Sequence, residues 1–244
     1  MKILAVFLVL FGCAFARKLP SFIEVCKPKE VDVSECITRN VENLRSKLAL
    51  KEGIPQMGIP SINPLIIPIA DLKIGDLHAT LKNIKVWHVP EFVLENLKVD
   101  LGDSIRVELK VVFHKIFAEA DYDIKGKILI LNLDGSGPGQ INVTELAATV
   151  VATGKKVIKN GKSFLSLDDF KIDPTIGRLD LKFENLFPNN QELSDNANKV
   201  LNDNQEVIVE EFAPLVIDII KELISSIFKN IFRRYSYDVL FPSA

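Results

Sequence analysis

Ser136 lies between two glycines in the run Asp134-Gly135-Ser136-Gly137-Pro138-Gly139. A serine nucleophile on a strand-to-helix elbow needs glycine two positions before it, and Asp134 occupies that position. The run also lacks the spacing that cradles a dinucleotide, and no phosphate-binding lysine follows it. His78, His88 and His114 have no histidine partner four residues away, so the zinc-peptidase pattern is missing. Glu210 and Glu211 sit in a helical stretch with no recognisable catalytic partner, and solvation is their default role. Cys26 and Cys36, without clustered histidines, match no zinc spacing. The chain therefore reads as a non-enzyme, with no catalytic residue, no metal ligand and no cofactor assigned.

What the sequence does offer is apolar surface. Residues 194–232 read as one long helix. From Phe212 onward, Asp218, Lys221, Glu222, Ser225 and Lys229 mark one narrow polar stripe. Leu215, Val216, Ile219, Ile220, Leu223, Ile224, Ile227 and Ile231 fill most of the remaining circumference. An amphipathic surface helix carries an apolar arc little wider than ~100°, whereas this one spans roughly 200° at ~100° per residue. Such a helix must be wrapped. Asp218, Lys221 and Glu222 interrupt it too often for a membrane span. Pro214 marks a kink or a break between two helices.

The first sixteen residues resemble a secretory leader. Lys2 is the positive start, residues 3–11 are apolar but too short to span a bilayer, and Ala14-Phe15-Ala16 is a small-x-small cleavage site. Residues 1–16 are thus expected to be removed, leaving 17–244 as a single secreted domain. Cys13 leaves with the leader, and the remaining pair, Cys26 and Cys36, is expected to form one disulfide in an oxidising compartment. Asn142-Val143-Thr144 is the usable glycosylation sequon, because Asn63 is followed by Pro64. A formal net charge of -2 argues against nucleic acid as a partner, which requires a basic stripe.

The elements that would surround the long helix are strands. Asp32-Val33-Ser34-Glu35 has capping-box spacing, and Ile37, Val41, Leu44 and Leu48 give the helix after it one apolar face, ending at Gly53. Pro55, Pro60, Pro64 and Pro68 make residues 53–68 an extended connector. From Ala70 to Phe187 the period is two. Leu77, Ala79 and Leu81 alternate with polar residues, as do Leu97, Val99 and Leu101, and then Ile105, Val107, Leu109, Val111 and Phe113. Clean alternation means antiparallel strands with one wet face. Asn83-Ile84 breaks the phase and is a candidate bulge. Turns are expected at Leu101-Gly102-Asp103-Ser104, at the glycine run 134–139, at Asn160-Gly161 and at Asp173-Pro174. The order is helix, strand meander, long helix: an α+β fold with a curved antiparallel sheet around the C-terminal helix.

Several short motifs then fall in a recognisable order: Cys26 with Cys36; Asn63-Pro64-Leu65 and Ile67-Pro68; Tyr122-Asp123-Ile124-Lys125-Gly126-Lys127-Ile128; Gly135-Ser136-Gly137; Phe183-Glu184-Asn185-Leu186-Phe187; Leu201-Asn202; and Phe232-Arg233-Arg234-Tyr235 leading to Leu240-Phe241-Pro242. Together they resemble the insect juvenile-hormone-binding/takeout family over nearly the whole mature chain. The resemblance implies a tubular lipid-binding fold, a secreted (haemolymph) monomer, and an internal tunnel for a fatty-acid-like or terpenoid ligand, juvenile hormone included. It matches the takeout-like single-disulfide pattern better than that of the hormone carriers, whose second disulfide has no cysteines here. The residues expected to line the tunnel are Leu215, Ile219 and Leu223 of the helix, Val111 and Phe113 of the sheet, and Tyr122 and Trp87. The alternative reading is a protein acting on membrane or microbial lipid. A strongly basic tip would favour that alternative, and the sequence shows none beyond Arg233-Arg234, so no stable membrane insertion is expected.

Overall fold

A computed structural model describes residues 18–28, 32–102 and 104–242; the leader expected at 1–16 lies outside them. Helix α1, Val33–Leu48, starts where the capping box requires: the Asp32 carboxylate accepts the Glu35 N–H at 3.0 Å. It ends at Ala49 rather than at Gly53. Gly53 instead takes a left-handed φ of +61° at the start of a turn closed by an Ile54–Ile59 bridge, where a Cβ would meet the Ile59 carbonyl. The Cys26–Cys36 disulfide, with its Cα atoms 5.8 Å apart, ties the N-terminal segment to the first turn of α1.

Six antiparallel strands follow: β1 (Leu65–Ile74), β2 (Leu77–Trp87), β3 (Val93–Leu101), β4 (Ser104–Ile128), β5 (Leu131–Lys159) and β6 (Lys162–Phe183). Their order is β1-β2-β4-β5-β6, with β3 sharing the β4 edge that β2 uses farther along. Three of them run far longer than an ordinary strand of ~5–6 residues, and they curl into a half-barrel. The curl has visible causes. In β5, Ile141 and Val143 face the core, and beyond Glu145 the inward residues are Ala148, Val150 and Ala152. Glu145 makes that change of face with a φ of +55°. Gly177 of β6 lies beside it, and β4 changes face near His114 without losing register. Asn83, at φ +54°, does the same in β2 with a register shift between Lys82 and Lys85, as the phase break at Asn83-Ile84 required.

Two expected turns are strand instead. The glycine run 134–139 lies within β5, and the glycines are there because another segment crosses them. A Cβ on Gly137 would stand 2.6 Å from the Glu184 carbonyl oxygen, and one on Gly139 would stand 2.7 Å from the Phe183 ring. Asp173-Pro174 lies within β6, which is an edge strand, so proline's missing N–H breaks no ladder. Asn160-Gly161 does form the two-residue turn between β5 and β6, with φ of +50° and +72°.

The C-terminal helical stretch is divided. Helix α2 (Gln191–Asp203) and helix α3 (Gln205–Arg234) meet at Asn204, while Pro214 is accommodated inside α3. A four-residue helix, α4 (Tyr237–Leu240), ends the described chain. Helix α2 and the first residue of α3 seal the open edge of β6 with side-chain amides. Asn198 accepts the Phe183 N–H at 2.8 Å and donates to its carbonyl at 2.8 Å. Asn202 does the same for Leu181 at 2.7 and 2.8 Å. Gln205 accepts the Leu179 N–H at 2.8 Å. These amides stand in for a seventh strand at Phe183 and Leu181, where both backbone groups are met, and at the Leu179 N–H, which leaves little of that edge to template aggregation. Helix α3 packs on β6 and touches β1, the two edges of the curled sheet, and so lies in its concavity.

Candidate functional site

Helix α3 is held at both ends by buried clusters. At its start, Ile208, Val209 and Phe212 pack with Leu77, Tyr122 and Leu201. Farther along, Ile224 packs with Val150, Ala152 and Phe170. At its end, Ile227 and Ile231 pack with Ile54, Met57 and Tyr235. Between Phe212 and Ile224 no described residue of α3 joins a buried cluster. That interval is ~18 Å of helix at ~1.5 Å per residue.

The same line of the helix runs through all of this. Val209, Val216, Ile220 and Ile227 fall within about 40° of one another at ~100° per residue. Val209 and Ile227 are packed against the two end clusters, yet between them Val216 is 44% and Ile220 37% exposed. A helix line that faces solid core is buried throughout. This one is half-buried and packed against a cluster at both ends, and more exposed in the middle.

The facing wall repeats the pattern. Val107 and Leu109 of β4 pack on the cluster that holds Ile224, whereas Val111 and Phe113, next on the same face, are half-buried and belong to no cluster. Phe113 meets Phe92 edge-on at 6.4 Å, and the Arg45 guanidinium of α1 sits 5.0 Å from the centre of the Phe92 ring. This stack joins α1 to the sheet wall beside the open interval.

Leu215, Ile219 and Leu223 lie in this interval and are half-buried. They stand to one side of the exposed line, Leu223 by about 40° and Leu215 by about 120°. Val216 and Ile220 are the residues that reading the sequence for a site left out. A 200° apolar arc does not say which of its lines faces the sheet, and only the end clusters reveal it.

Tyr122 and Trp87 are placed elsewhere. Tyr122 is 4% exposed within the cluster at the start of α3, and its hydroxyl donates to the Glu184 carbonyl at 2.6 Å. Phe183 meets its ring edge-on at 5.2 Å. Burial, with the nearby Glu184 carboxylate, pushes its pKa up to about 12. The proton is held in the fold. Trp87 pairs across from Phe117, and Phe117 from Asn142, which pairs with Asp180. Directly opposed residues share a face, so Trp87 stands with Lys85, Glu119 and Asp180 on the outer face, its ring 5.4 Å from that of Phe117. Trp87 is therefore turned away from the wall that carries Phe113 and Val111, because Asn83 has shifted the phase of β2 before it. Asn142 is half-buried on that same outer face.

Among the described residues no group of three His, Cys, Asp or Glu side chains could hold a metal ion. No described helix is long and apolar enough to cross a membrane.

Comparison with known proteins places this architecture. The family model for haemolymph juvenile hormone binding protein matches residues 4–242. The circadian clock-controlled protein daywake of Drosophila melanogaster is 24% identical over 235 residues, covering 91% of this chain and 88% of that protein. Daywake of Drosophila yakuba is also 24% identical, over 239 residues, covering 93% and 89%. The crystal structure of Epiphyas postvittana Takeout 1 superposes with a TM-score of 0.73 at 23% identity, covering 88% of this chain and 97% of that one.

Proposed function

Since the chain belongs to the haemolymph juvenile hormone binding protein family, a family of carriers for hydrophobic ligands, we propose that it carries a long, largely apolar molecule between α3 and the sheet. The ligand class is fatty-acid-like or terpenoid, and the protein holds it without chemical turnover. The observation that supports this most directly is the exposed pair Val216 and Ile220, on a helix line packed against buried clusters at both ends. The reading makes the open interval a tunnel closed by the end clusters, with Val111 and Phe113 as its other wall.

The dimensions suit such a ligand. Three backbone bonds advance a chain ~3.5 Å, or ~1.2 Å per bond, so ~18 Å accommodates about fifteen methylenes. Burying them releases on the order of 10 kcal/mol at ~0.8 kcal/mol each. Lost translational and rotational freedom takes back at least ~4 kcal/mol, which leaves about micromolar affinity for the longest chain that fits. The proposed site of action is outside the cell, in keeping with the leader pattern at 1–16 and the Cys26–Cys36 bridge.

A displacement titration of the delipidated protein with homologous fatty acids, alcohols and terpenoid esters tests the reading. Affinity should rise with each methylene and level off near fifteen carbons. Absence of saturable binding to every series removes the carrier assignment. A gain that continues without limit would mean adsorption to a surface rather than enclosure.

A further inference from the structure

The hairpin joining β5 to β6 carries a feature the carrier role does not use. Ile158 at its tip is 82% exposed, more than any other large hydrophobic residue among those described. Lysines surround it: Lys155 and Lys156 before, Lys159 and Lys162 after, with no acidic residue between positions 155 and 167. Lys159 and Lys162 face each other on the last rung of the ladder, both exposed. Neither side chain has an ion pair or hydrogen bond among the described residues. The two inner lysines do have partners. Lys155 pairs with Asp168 at 3.0 Å, and Lys156 donates to the Leu101 carbonyl at 3.2 Å while sitting 4.4 Å above the Tyr237 ring. They anchor the base of the hairpin and leave the outer pair as unneutralised charge beside a bare isoleucine.

The other long hairpin supplies a contrast. Ile130, between β4 and β5, is 80% exposed, but there Lys125 is neutralised by Asp134 at 2.9 Å. Exposure is shared by the two tips, but the β4–β5 tip keeps one lysine without an ion pair among the described residues, Lys127, where the β5–β6 tip keeps two on its last rung.

We infer that the β5–β6 hairpin is a docking tip for an anionic phospholipid membrane, with Ile158 entering the interface and Lys159 and Lys162 meeting the headgroups. Charge complementarity sets the sign of the partner. Size selects a membrane over a protein. A stable protein interface needs roughly 800 Å² from each side with a packed apolar centre, and one projecting isoleucine does not provide it. A bilayer interface accepts a single apolar side chain flanked by basic residues, and each lysine near an anionic surface contributes about fivefold in partitioning. The two-residue Asn160-Gly161 turn keeps the tip narrow. Docking of this kind is peripheral and reversible, because two lysines and one side chain fall well short of an anchor.

Co-flotation of the whole secreted chain with vesicles tests the inference. One set is phosphatidylcholine alone, and the other is an equimolar mixture with phosphatidylserine. The protein should float with the mixed vesicles, not with phosphatidylcholine alone, and should be released as salt rises, since exposed charges are screened. Lys159→Gln/Lys162→Gln should lower binding about twenty-fivefold. Ile158→Ser should weaken it several-fold, and Ile130→Ser at the other tip should leave it unchanged. All these positions are exposed, so melting temperatures should match the parent and exclude misfolding. Lack of flotation with mixed vesicles overturns the inference, as does equal binding to both vesicle types. Binding that survives the double lysine change overturns it too, since the charge would then lie elsewhere.

Discussion

Replacing Val216 with tryptophan separates an open interval from a filled one. In a packed core, that much added bulk forces neighbours off their rotamers and costs about 1–3 kcal/mol. In a chain of this size such a loss lowers Tm by about 2–4 °C per kcal/mol, or roughly 4–12 °C at the upper half of the range. Val216 is 44% exposed and packs in no buried cluster, although Val209 and Ile227 on its line of α3 pack against buried clusters. The indole should therefore fit, with Tm within about 2 °C of the parent. Its effect should appear in binding. The extra ring displaces on the order of two to three methylenes of ligand, worth ~2 kcal/mol, so the longest chains should bind about thirtyfold more weakly. Short chains should lose little, and the plateau in affinity should move to a shorter length. Thermal unfolding of the delipidated protein, followed by the fatty-acid displacement series, measures both. Asp218→Trp, on the polar stripe, is the control and should change neither. A Tm loss near 10 °C with an unaltered plateau would mean a solid core at Val216, and the reasoning would fail. No change in either measurement would place Val216 on an outer surface and refute it equally.

Other substitutions test the surrounding fold. Asn202→Ala removes the two bonds to Leu181 at 2.7 and 2.8 Å and strands both backbone groups, so urea unfolding should show a loss of about 2–3 kcal/mol. Asn196→Ala, exposed on the same helix, has the same gain in helix propensity without that loss and should be neutral or slightly stabilising. Tyr122 titrates near 12 when folded and near 10 when unfolded, so the unfolded state loses its proton first and stability must fall as pH rises through that window, by roughly 2 kcal/mol in all. Tyr122→Phe should abolish that alkaline decline in urea midpoints while costing about 1–2 kcal/mol at neutral pH from the orphaned Glu184 carbonyl. Cys26→Ser/Cys36→Ser reopens a loop with a sequence separation of 10 and should cost about 2–3 kcal/mol in calorimetry, without shifting the ligand-length plateau.

Signals that act within a few residues were legible in the sequence. Asp32 caps α1 because a carboxylate three residues before a free N–H needs nothing distant. Asn160-Gly161 turns because both residues accept positive φ. Strand alternation located the inward face from Ile105 to Phe113, and the wide apolar arc of α3 required a wrapping sheet. What the sequence hid was tertiary. The glycines at 135, 137 and 139 look like a loop until the segment 183–186 is seen to cross them. Pro174 looks like a turn unless β6 is known to be an edge. Trp87 looked like a lining residue until the left-handed Asn83 turned its strand over. The lysines of the β5–β6 tip are interleaved with Val157 and Ile158, so they form no charge block in the sequence, while Arg234 proved to be tied to the Pro55 and Gln56 carbonyls.

The polar side chains with structural work to do are gathered at the two ends of the molecule. At one end the amides of Asn198, Asn202 and Gln205 close the β6 edge, and Tyr122 holds the crossing segment at Glu184. At the other, Arg234 donates to the Pro55 carbonyl at 2.6 Å and to that of Gln56 at 3.0 Å, and the Tyr235 hydroxyl donates to Gln56 at 3.0 Å. Each end thus has its own apolar cluster and its own hydrogen-bonded clamp. A fold stabilised in this way need not depend on a filled centre, so the proposed tunnel could stay open with its walls fixed by their ends. The division has a measurable consequence. Tyr235→Phe at the clamp should lower stability by about 1–2 kcal/mol, because the Gln56 carbonyl loses a donor, and should leave the ligand-length plateau where it was. Ile220→Phe in the centre should do the reverse, shortening the plateau at nearly constant Tm. If both changes moved both quantities together, stability and capacity would share one core, and the separation of clamped ends from an open middle would be wrong.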